Sequence, residues 1–543
     1  MILWTQPLDP LHAMALSALA ASVPLAVLLI LMGGMRKPGF VAAAWGLSSA
    51  LVLAAAVWGM PVKLALWSAG FGFAYGLWPI MWVVFNALWL YNLCVDTGKF
   101  DLLRRWMAEH ASGDPRIQVI LVAFCFGALL EGATGFGAPV AIAAFLLLSL
   151  GFSARKAVMV CLIGNTAPVA FGSLGLAIIA LAKVTGLDLM SLSAMVGRQL
   201  PILSFFLPAY LVLVVSGRKG FRETWPAALV SGTSFALTQF VVSNLWGPYA
   251  ADILAALVSI AALVSFLHVW SPVRGALEAM AQPVLAKSEG PAAGADEKLR
   301  RVEVVASWVP WVLLSAVMIT WASLKLFQVG QVALPLLELH NKILITLYNK
   351  PYSAVYLFQP LAAGTASLTA TLLTALIFRV RVATLLASGL KTLCQVRLPA
   401  LTVALIVALA YLYNYSGMAY TLGAALAKVG TFFPLVSSFL GWIGCVLTGS
   451  DTASNLLFGN LQVAAAYQIK VSPVLMAATN ATGGVAGKMI SPQNVAVGVT
   501  TVGLIGQEGD VVRSTFWHSI LLALALGVLA FAQAYFLKWM VPN

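Results

Sequence analysis

Residues 127–140 read GALLEGATGFGAPV and residues 444–457 read GCVLTGSDTASNLL. They lie in two apolar regions, about 117–182 and 432–505, that Gly, Pro, Asn, Ser and Thr interrupt repeatedly. In each stretch a Gly is followed five residues later by a second Gly and a cluster of small polar residues. Matching features flank both. Tyr91-Asn92 and Tyr413-Asn414 each end an apolar run upstream, and NTAPVAFG (165–172) and NATGGVAG (480–487) follow downstream. Partners are offset by about 315 to 322 residues. Shared Gly and Ala is expected of any two membrane helices, but three matches in one order point to two related halves. Interrupted apolar segments at corresponding places in two halves are the best sequence pointer to a transporter's binding site.

The composition agrees. Of 543 residues, 9% are charged and 61% hydrophobic, whereas a soluble globular chain carries about 25% charge. So little charge cannot coat soluble domains of this total size, which excludes a soluble enzyme, a nucleic-acid binder and a disordered scaffold. The net charge of +13 comes from short basic clusters between apolar runs: Arg36-Lys37, Arg104-Arg105, Arg155-Lys156, Arg218-Lys219-Arg222, Arg300-Arg301 and Arg379 with Arg381. Cytoplasmic loops acquire such clusters under the positive-inside rule, and phosphate neutralisation would require grouped charge instead. The five cysteines have no paired spacing and read as small buried residues. The N-terminal MILWTQPLDP lacks the basic segment of a signal peptide, so the first apolar run reads as a mature helix with the N-terminal tail outside.

A membrane helix needs about 20 apolar residues. Candidates cover roughly 12–33, 39–59, 76–95, 199–215, 225–243, 249–268, 305–324, 361–378, 398–413 and 516–537. With the two broken regions, the prediction is an all-α polytopic membrane protein with about 12–14 transmembrane helices. Broken helices or re-entrant hairpins are expected near 127–175 and 444–494. The basic loops, including 379–397, are assigned to the cytoplasm. A run of about 30 residues over 117–150 must then start and end on one side, which suits a helix followed by a re-entrant hairpin or two half-spans. The Pro-, Ala-, Gly- and Ser-rich segment 270–304 reads as a flexible cytoplasmic linker between an N-terminal transmembrane repeat (1–269) and a C-terminal one (305–543).

Ionisable residues inside the broken regions are few. A charge at the bilayer centre costs about 2.5–3.5 kcal/mol on insertion scales, so such residues are usually functional. Glu131 and Asp451 occupy matching places, and Lys488 follows the second Gly-rich break. Either carboxylate has an alternative role capping a half-helix N-terminus. Lys488 has three readings: partner of an anionic substrate, partner of Glu131 or Asp451, or a side chain snorkelling to an interface. Arg198, His518 and Asp252 fall near predicted helix ends and read as interfacial. Free amides at half-helix N-termini favour anions. Thr134, Asn165, Thr166, Ser450, Thr452, Asn455, Asn480, Thr482 and Ser491 are candidate substrate-binding groups around them, alongside Lys488. The competing reading for each hydroxyl is close helix packing. Enzyme motifs do not hold up. No HExxH, paired CxxC or GxSxG occurs, the His residues are not clustered, and the run Gly483–Met489 lacks the Ser or Thr of a phosphate loop. No cofactor or metal site is predicted.

These same residues carry a family resemblance. FCFGALLEGATGFGAPVAI (124–142), NTAPVAFGSLG (165–175), VGRQLP (196–201), ETWPA (223–227), NYSG (414–417), FLGWIGCVLTGSDTASN (439–455) and TGGVAGKMISPQN (482–494) resemble the L-lactate permease family of bacterial carboxylate transporters. The resemblance spans the chain and is weakest over about 270–360. It implies a cytoplasmic-membrane symporter for lactate, glycolate and other 2-hydroxy monocarboxylates, driven by protons and built from two inverted repeats. A monocarboxylate moving alone works against an inside-negative potential at about 2.3 kcal/mol per charge per 100 mV, and one proton removes that load. Glu131 or Asp451 is the expected proton carrier, with Glu131 preferred for its more apolar neighbours. The rival readings are a sodium-coupled carboxylate or dicarboxylate transporter, with Asp451 among oxygen ligands, a passive anion channel, and an intramembrane enzyme. Oligomeric state and preferred hydroxy acid are not legible.

Overall fold

The computed structural model describes residues 3–35, 37–110, 114–135, 138–271, 300–347, 349–504 and 506–542. Arg36 and most of the expected 270–304 linker lie outside the described residues; the end of that segment, from Arg301, is already helical. Ten helices among the described residues are long and apolar enough to cross a bilayer, or eleven with the bent pair Ala154–Gly164 and Val169–Thr185 taken as one span. Two shorter apolar helices, Pro139–Ser149 and Ala363–Ile377, accompany them. The chain is a multi-pass membrane protein.

The longest helical stretch is a hairpin. Leu200–Leu245 breaks at Gly217, whose φ of 65° and ψ of −168° end the first arm. Ser204 on the first arm donates to Gln239 on the second at 2.8 Å, so the arms run side by side. The two arms correspond to the separate spans expected at 199–215 and 225–243. Two stretches outside the expected spans, one of them the loop expected at 379–397, are helical. Val62–Tyr75 is a helix held against Val382–Ser416, where Gly72 and Gly76 lie flush with the Ala404–Ala408 backbone. Val382–Ser416 itself absorbs most of the loop expected at 379–397. Its 35 residues rise about 1.5 Å each, more than a 30 Å hydrocarbon core requires. The surplus turns carry Lys391, which pairs with Asp96 at 2.6 Å.

The segment between Ser323 and Ala363 is not helical for most of its length and carries short strands. Val332–Pro335 pairs antiparallel with Val355–Phe358, while Ile343–Ile345 pairs with both Lys350–Pro351 and the N-terminal Trp4–Thr5. The N-terminal tail and this loop therefore occupy the same side of the protein.

The first broken region begins with a helix from Pro115 to Ala133 that is wholly enclosed by neighbours. Asp114 caps its start by accepting from the Arg116 amide at 2.9 Å. The Arg116 guanidinium returns to Asp114 at 2.7 Å and also reaches Glu223 on the long hairpin. After Gly135 the chain resumes as the shorter helix Ala138–Ser149. The region thus holds a full-length helix followed by one half-length helix, in place of the hairpin or the two half-spans expected for 117–150.

Candidate functional site

Glu131 lies near the end of the Gly127–Ala133 helix and is 2% exposed. It is not at a helix N-terminus, so the capping role open to it in the sequence does not apply. Its surroundings come from the second broken element, where Ala154–Gly164 and Val169–Thr185 meet at 68°. Asn165, in the break, donates to Glu131 Oε2 at 3.0 Å. At Gly172 an added Cβ would stand 2.8 Å from Glu131 Oε1, so the carboxylate rests against backbone that only glycine leaves open. The next residues, Ser173 and Leu174, hold φ of 47° and 60°, a left-handed conformation that costs non-glycine residues about 1–3 kcal/mol each. Ser173 then donates to the Thr134 carbonyl at 3.1 Å, tying one break to the other. The Thr134 and Thr166 hydroxyls are spent on their own helices, donating to Leu130 O and Ile163 O at 2.8 and 2.7 Å.

In the second broken region Phe433–Thr448 ends at left-handed Gly449 (φ 70°) and Asp451–Ile469 begins. Ser450 is the cap, accepting from Ala453 N at 3.3 Å. Asp451 therefore sits in the first turn, favoured there by the helix dipole, rather than at the capping position. Its Oδ2 accepts from Asn455 at 3.4 Å, and its buried Oδ1 has no hydrogen-bond partner. The expected break at 480–492 is narrower in the structure. Pro473–Lys488 is one uninterrupted helix through Asn480 and the glycines. Those glycines serve contact, since a Cβ at Gly483, Gly484 or Gly487 would come within 2.3 Å of Ser438, Asp451 or Trp442 atoms. The true break is Met489–Ser491, after which Ser491 caps Pro492–Thr501.

Lys488 ends that helix, where the dipole favours a cation. It is 7% exposed, and its Nζ lies 2.5 Å from Glu131 Oε1. Of its three readings, the structure shows the pairing with Glu131 and removes snorkelling. Asp451 lies against the same helix one turn earlier, where a Cβ at Gly484 would stand 2.0 Å from its Oδ1. Four interrupted elements thus meet around the buried Lys488–Glu131 pair, with Asp451 packed on the Lys488 helix.

The other candidates divide. Asn455 and Asn480 belong to a buried amide chain, in which Asn480 donates to Asn455 Oδ1 at 2.9 Å and accepts from Gln462 at 3.2 Å. Asn455 also donates to Ala177 O at 3.1 Å, locking Asp451–Ile469 to Gly172–Thr185. Thr482 points elsewhere, donating to Gln199 at 2.7 Å in a separate cluster with Thr479 and Gln533. Ser450 and Thr452 are half-buried at the rim. Ser491 accepts from Asn494 Nδ2 at 2.7 Å, and the same amide reaches Gly449 O at 3.1 Å, joining the breaks at Gly449 and Met489–Ser491.

Sequence reasoning missed Asn494, Ser173 and, above all, Asp252. Read as interfacial, Asp252 is 1% exposed. It packs against Gly132, whose added Cβ would lie 3.1 Å from Asp252 Cβ. Gln239 donates to its Oδ1 at 3.0 Å and to Ala167 O at 3.3 Å, while its Oδ2 is buried without a partner. An acidic residue in an apolar run without a basic neighbour in sequence was the available signal. Arg198 bonds Asn244 and the Met540 carbonyl, and His518 meets Tyr210, so neither joins the site.

A family profile for L-lactate permease matches residues 17–537. The chain is 42% identical to glycolate permease GlcA of Escherichia coli (strain K12), with the full length of both aligned. It is likewise 42% identical to an L-lactate permease of Bacillus subtilis (strain 168), over 99% of this chain and 100% of that one. Among solved structures, the YdaH transporter of Alcanivorax borkumensis aligns with 88% of this chain and 89% of its own, at 14% identity and a TM-score of 0.44.

Proposed function

The chain belongs to the L-lactate permease family, and from that premise we propose that it takes up L-lactate and related 2-hydroxy monocarboxylates such as glycolate. Transport is by proton symport across the bacterial cytoplasmic membrane, with the N-terminus outside. As a permease it is a transporter and not an enzyme.

The buried Lys488–Glu131 pair carries this reading. As a unit the pair is neutral. A carboxylate entering alone would bring an uncompensated charge into a dry site, at a cost of several kcal/mol. One proton on Glu131 removes that surplus and frees the Lys488 ammonium for the substrate carboxylate. The site is then neutral when empty and neutral when loaded, and the load crosses without electrical work. Asp451, with an unpartnered oxygen beside the pair, is the second place for the proton. Asn165 keeps Glu131 oriented in either state, because its amide donates to a carboxyl oxygen.

Uptake of labelled L-lactate into proteoliposomes tests this. With acid outside, the parent protein accumulates lactate, and replacing sodium by choline changes nothing. Glu131→Gln loses gradient-driven accumulation and retains lactate–lactate exchange. Full accumulation by both Glu131→Gln and Asp451→Asn overturns the proton-carrier assignment, and loss of uptake in choline favours sodium coupling.

A further inference from the structure

A second cation stands apart from the central site. Lys183, in the last turn of Gly172–Thr185, forms no ion pair among the described residues. Its Nζ is 5.9 Å from the centre of the Tyr75 ring, and Tyr411 holds its backbone carbonyl at 3.2 Å. Beside it opens a cavity of about 400 Å³, lined by Lys183, Pro79, Asp188, Tyr249, Phe327 and Gln359 among others. That volume lies within the range of small-molecule sites, about 300–1,000 Å³. Asp188 shares the lining without pairing with Lys183: its Oδ2 accepts from the Ser191 amide and hydroxyl at 2.8 and 3.0 Å, so the carboxylate is held as the cap of Leu189–Val196, where the helix dipole offsets part of its charge.

Phe327 and Gln359 belong to the strand-bearing loop that pairs with the N-terminal tail, so the cavity opens on that side. Ser173, next to Glu131, lies ten residues before Lys183 on the same helical element, or about 15 Å at 1.5 Å per residue. Asn455 and Asn460 donate to Ala177 O and Val184 O along the way, so this element is fixed at both ends.

We propose that the cavity at Lys183 is a capture site for small carboxylate anions, an antechamber from which substrate passes along Gly172–Thr185 to the Lys488–Glu131 site. The proposal deepens the transport reading and rests on it. An unpaired ammonium in a confined, aromatic-walled cavity, with the lining carboxylate of Asp188 drawn to a helix N-terminus, raises the local concentration of anions at Lys183, while the ring face of Tyr75 keeps the ammonium in place without cancelling its charge. The simpler alternative is that Lys183 only offsets the dipole at its helix end.

Thiol labelling separates the two without depending on transport. Cys394 is the exposed native cysteine and the other four are buried. In full-length, detergent-solubilised Cys394→Ser protein, Gln359→Cys places a thiol at the cavity rim. With each rate divided by that reagent's rate on a free small thiol, a sulfonate-bearing methanethiosulfonate should label it at least about fivefold faster than the trimethylammonium reagent. Millimolar L-lactate, glycolate or acetate should slow that labelling. Adding Lys183→Gln should abolish both the preference and the protection, and Lys183→Arg should keep them. If no carboxylate protects, or if protection survives Lys183→Gln, the capture site is wrong and the helix-dipole role stands. Lactate uptake by the parent in proteoliposomes is read separately: uptake without protection overturns only the capture site, and protection without uptake overturns only the transport reading. Should Lys183→Gln fail to fold, carboxylate protection in the Lys183→Arg protein decides the matter alone.

Discussion

Lys488 Nζ meets Glu131 Oε1 at 2.5 Å across 357 residues of chain, and both side chains are almost wholly buried. Each charge is tolerated there because of the other.

Removing one partner strands the second. Lys488→Met should lower unfolding stability in detergent by roughly 3–5 kcal/mol, the usual cost of an uncompensated buried charge. Adding Glu131→Gln should restore most of that loss while transport stays dead. A double variant no more stable than Lys488→Met would mean the pair is not what the substitution disturbs.

Gly172→Ala tests the backing of Glu131. The new Cβ would stand 2.8 Å from Oε1, and such overpacking costs about 1–3 kcal/mol. Displaced from Lys488, Glu131 should leave the maximal uptake rate down about tenfold or more in a protein that still elutes as a folded species. Gly70→Ala, with nothing within 4 Å of the added Cβ, should transport normally.

Asn494→Ala cuts the link between the breaks at Gly449 and Ser491. Losing these two side-chain hydrogen bonds should cost about 1–3 kcal/mol in total in thermal or denaturant unfolding. Asn494→Asp removes the donor but keeps the shape, and should be no better. Wild-type stability in either variant would show that the two breaks hold their geometry independently.

Asp252→Asn retains the oxygen that accepts from Gln239 and removes a carboxylate whose other oxygen has no partner. Thermal unfolding should therefore be unchanged or higher. Asp252→Ala loses the hydrogen bond as well and should fall by about 1–3 kcal/mol. A clear drop for Asp252→Asn would reveal a requirement for the charge itself, and would move Asp252 into the coupling machinery beside Glu131.

Much of this was legible in the sequence, and the reason differs by element. The spans at 14–32, 39–56, 251–269 and 508–535 follow from hydropathy, because each helix satisfies its own backbone and needs only apolar side chains outward. Lys488, Glu131 and Asp451 were legible because charge is scarce in apolar sequence. Val62–Tyr75 and the first turns of Val382–Ser416 were not. Val62–Tyr75 falls in no expected span and the start of Val382–Ser416 reads as a basic loop; Gly72 of the first packs on Val407, Ala408 and Tyr411, and the second accepts hydrogen bonds from Trp89 and Asn92. Asp252 failed for a related reason. Nearness to a helix end was taken for nearness to the interface, but that end is buried beneath the long hairpin and Gly132.

The sequence alone determined that this chain lives in a bilayer, that its helices are interrupted near Gly135, Asn165 and Gly449, and which three ionisable residues lie within the broken regions. Those are local properties, set by composition and by residues that cannot continue a helix. Only the tertiary structure decided that Lys488 pairs with Glu131, that Thr482 faces another cluster, and that Asp252 and Lys183 belong to polar sites. Partner choice depends on which helix faces press together. Here that is governed by glycines such as Gly172 and Gly484, whose missing side chains let distant elements come into contact.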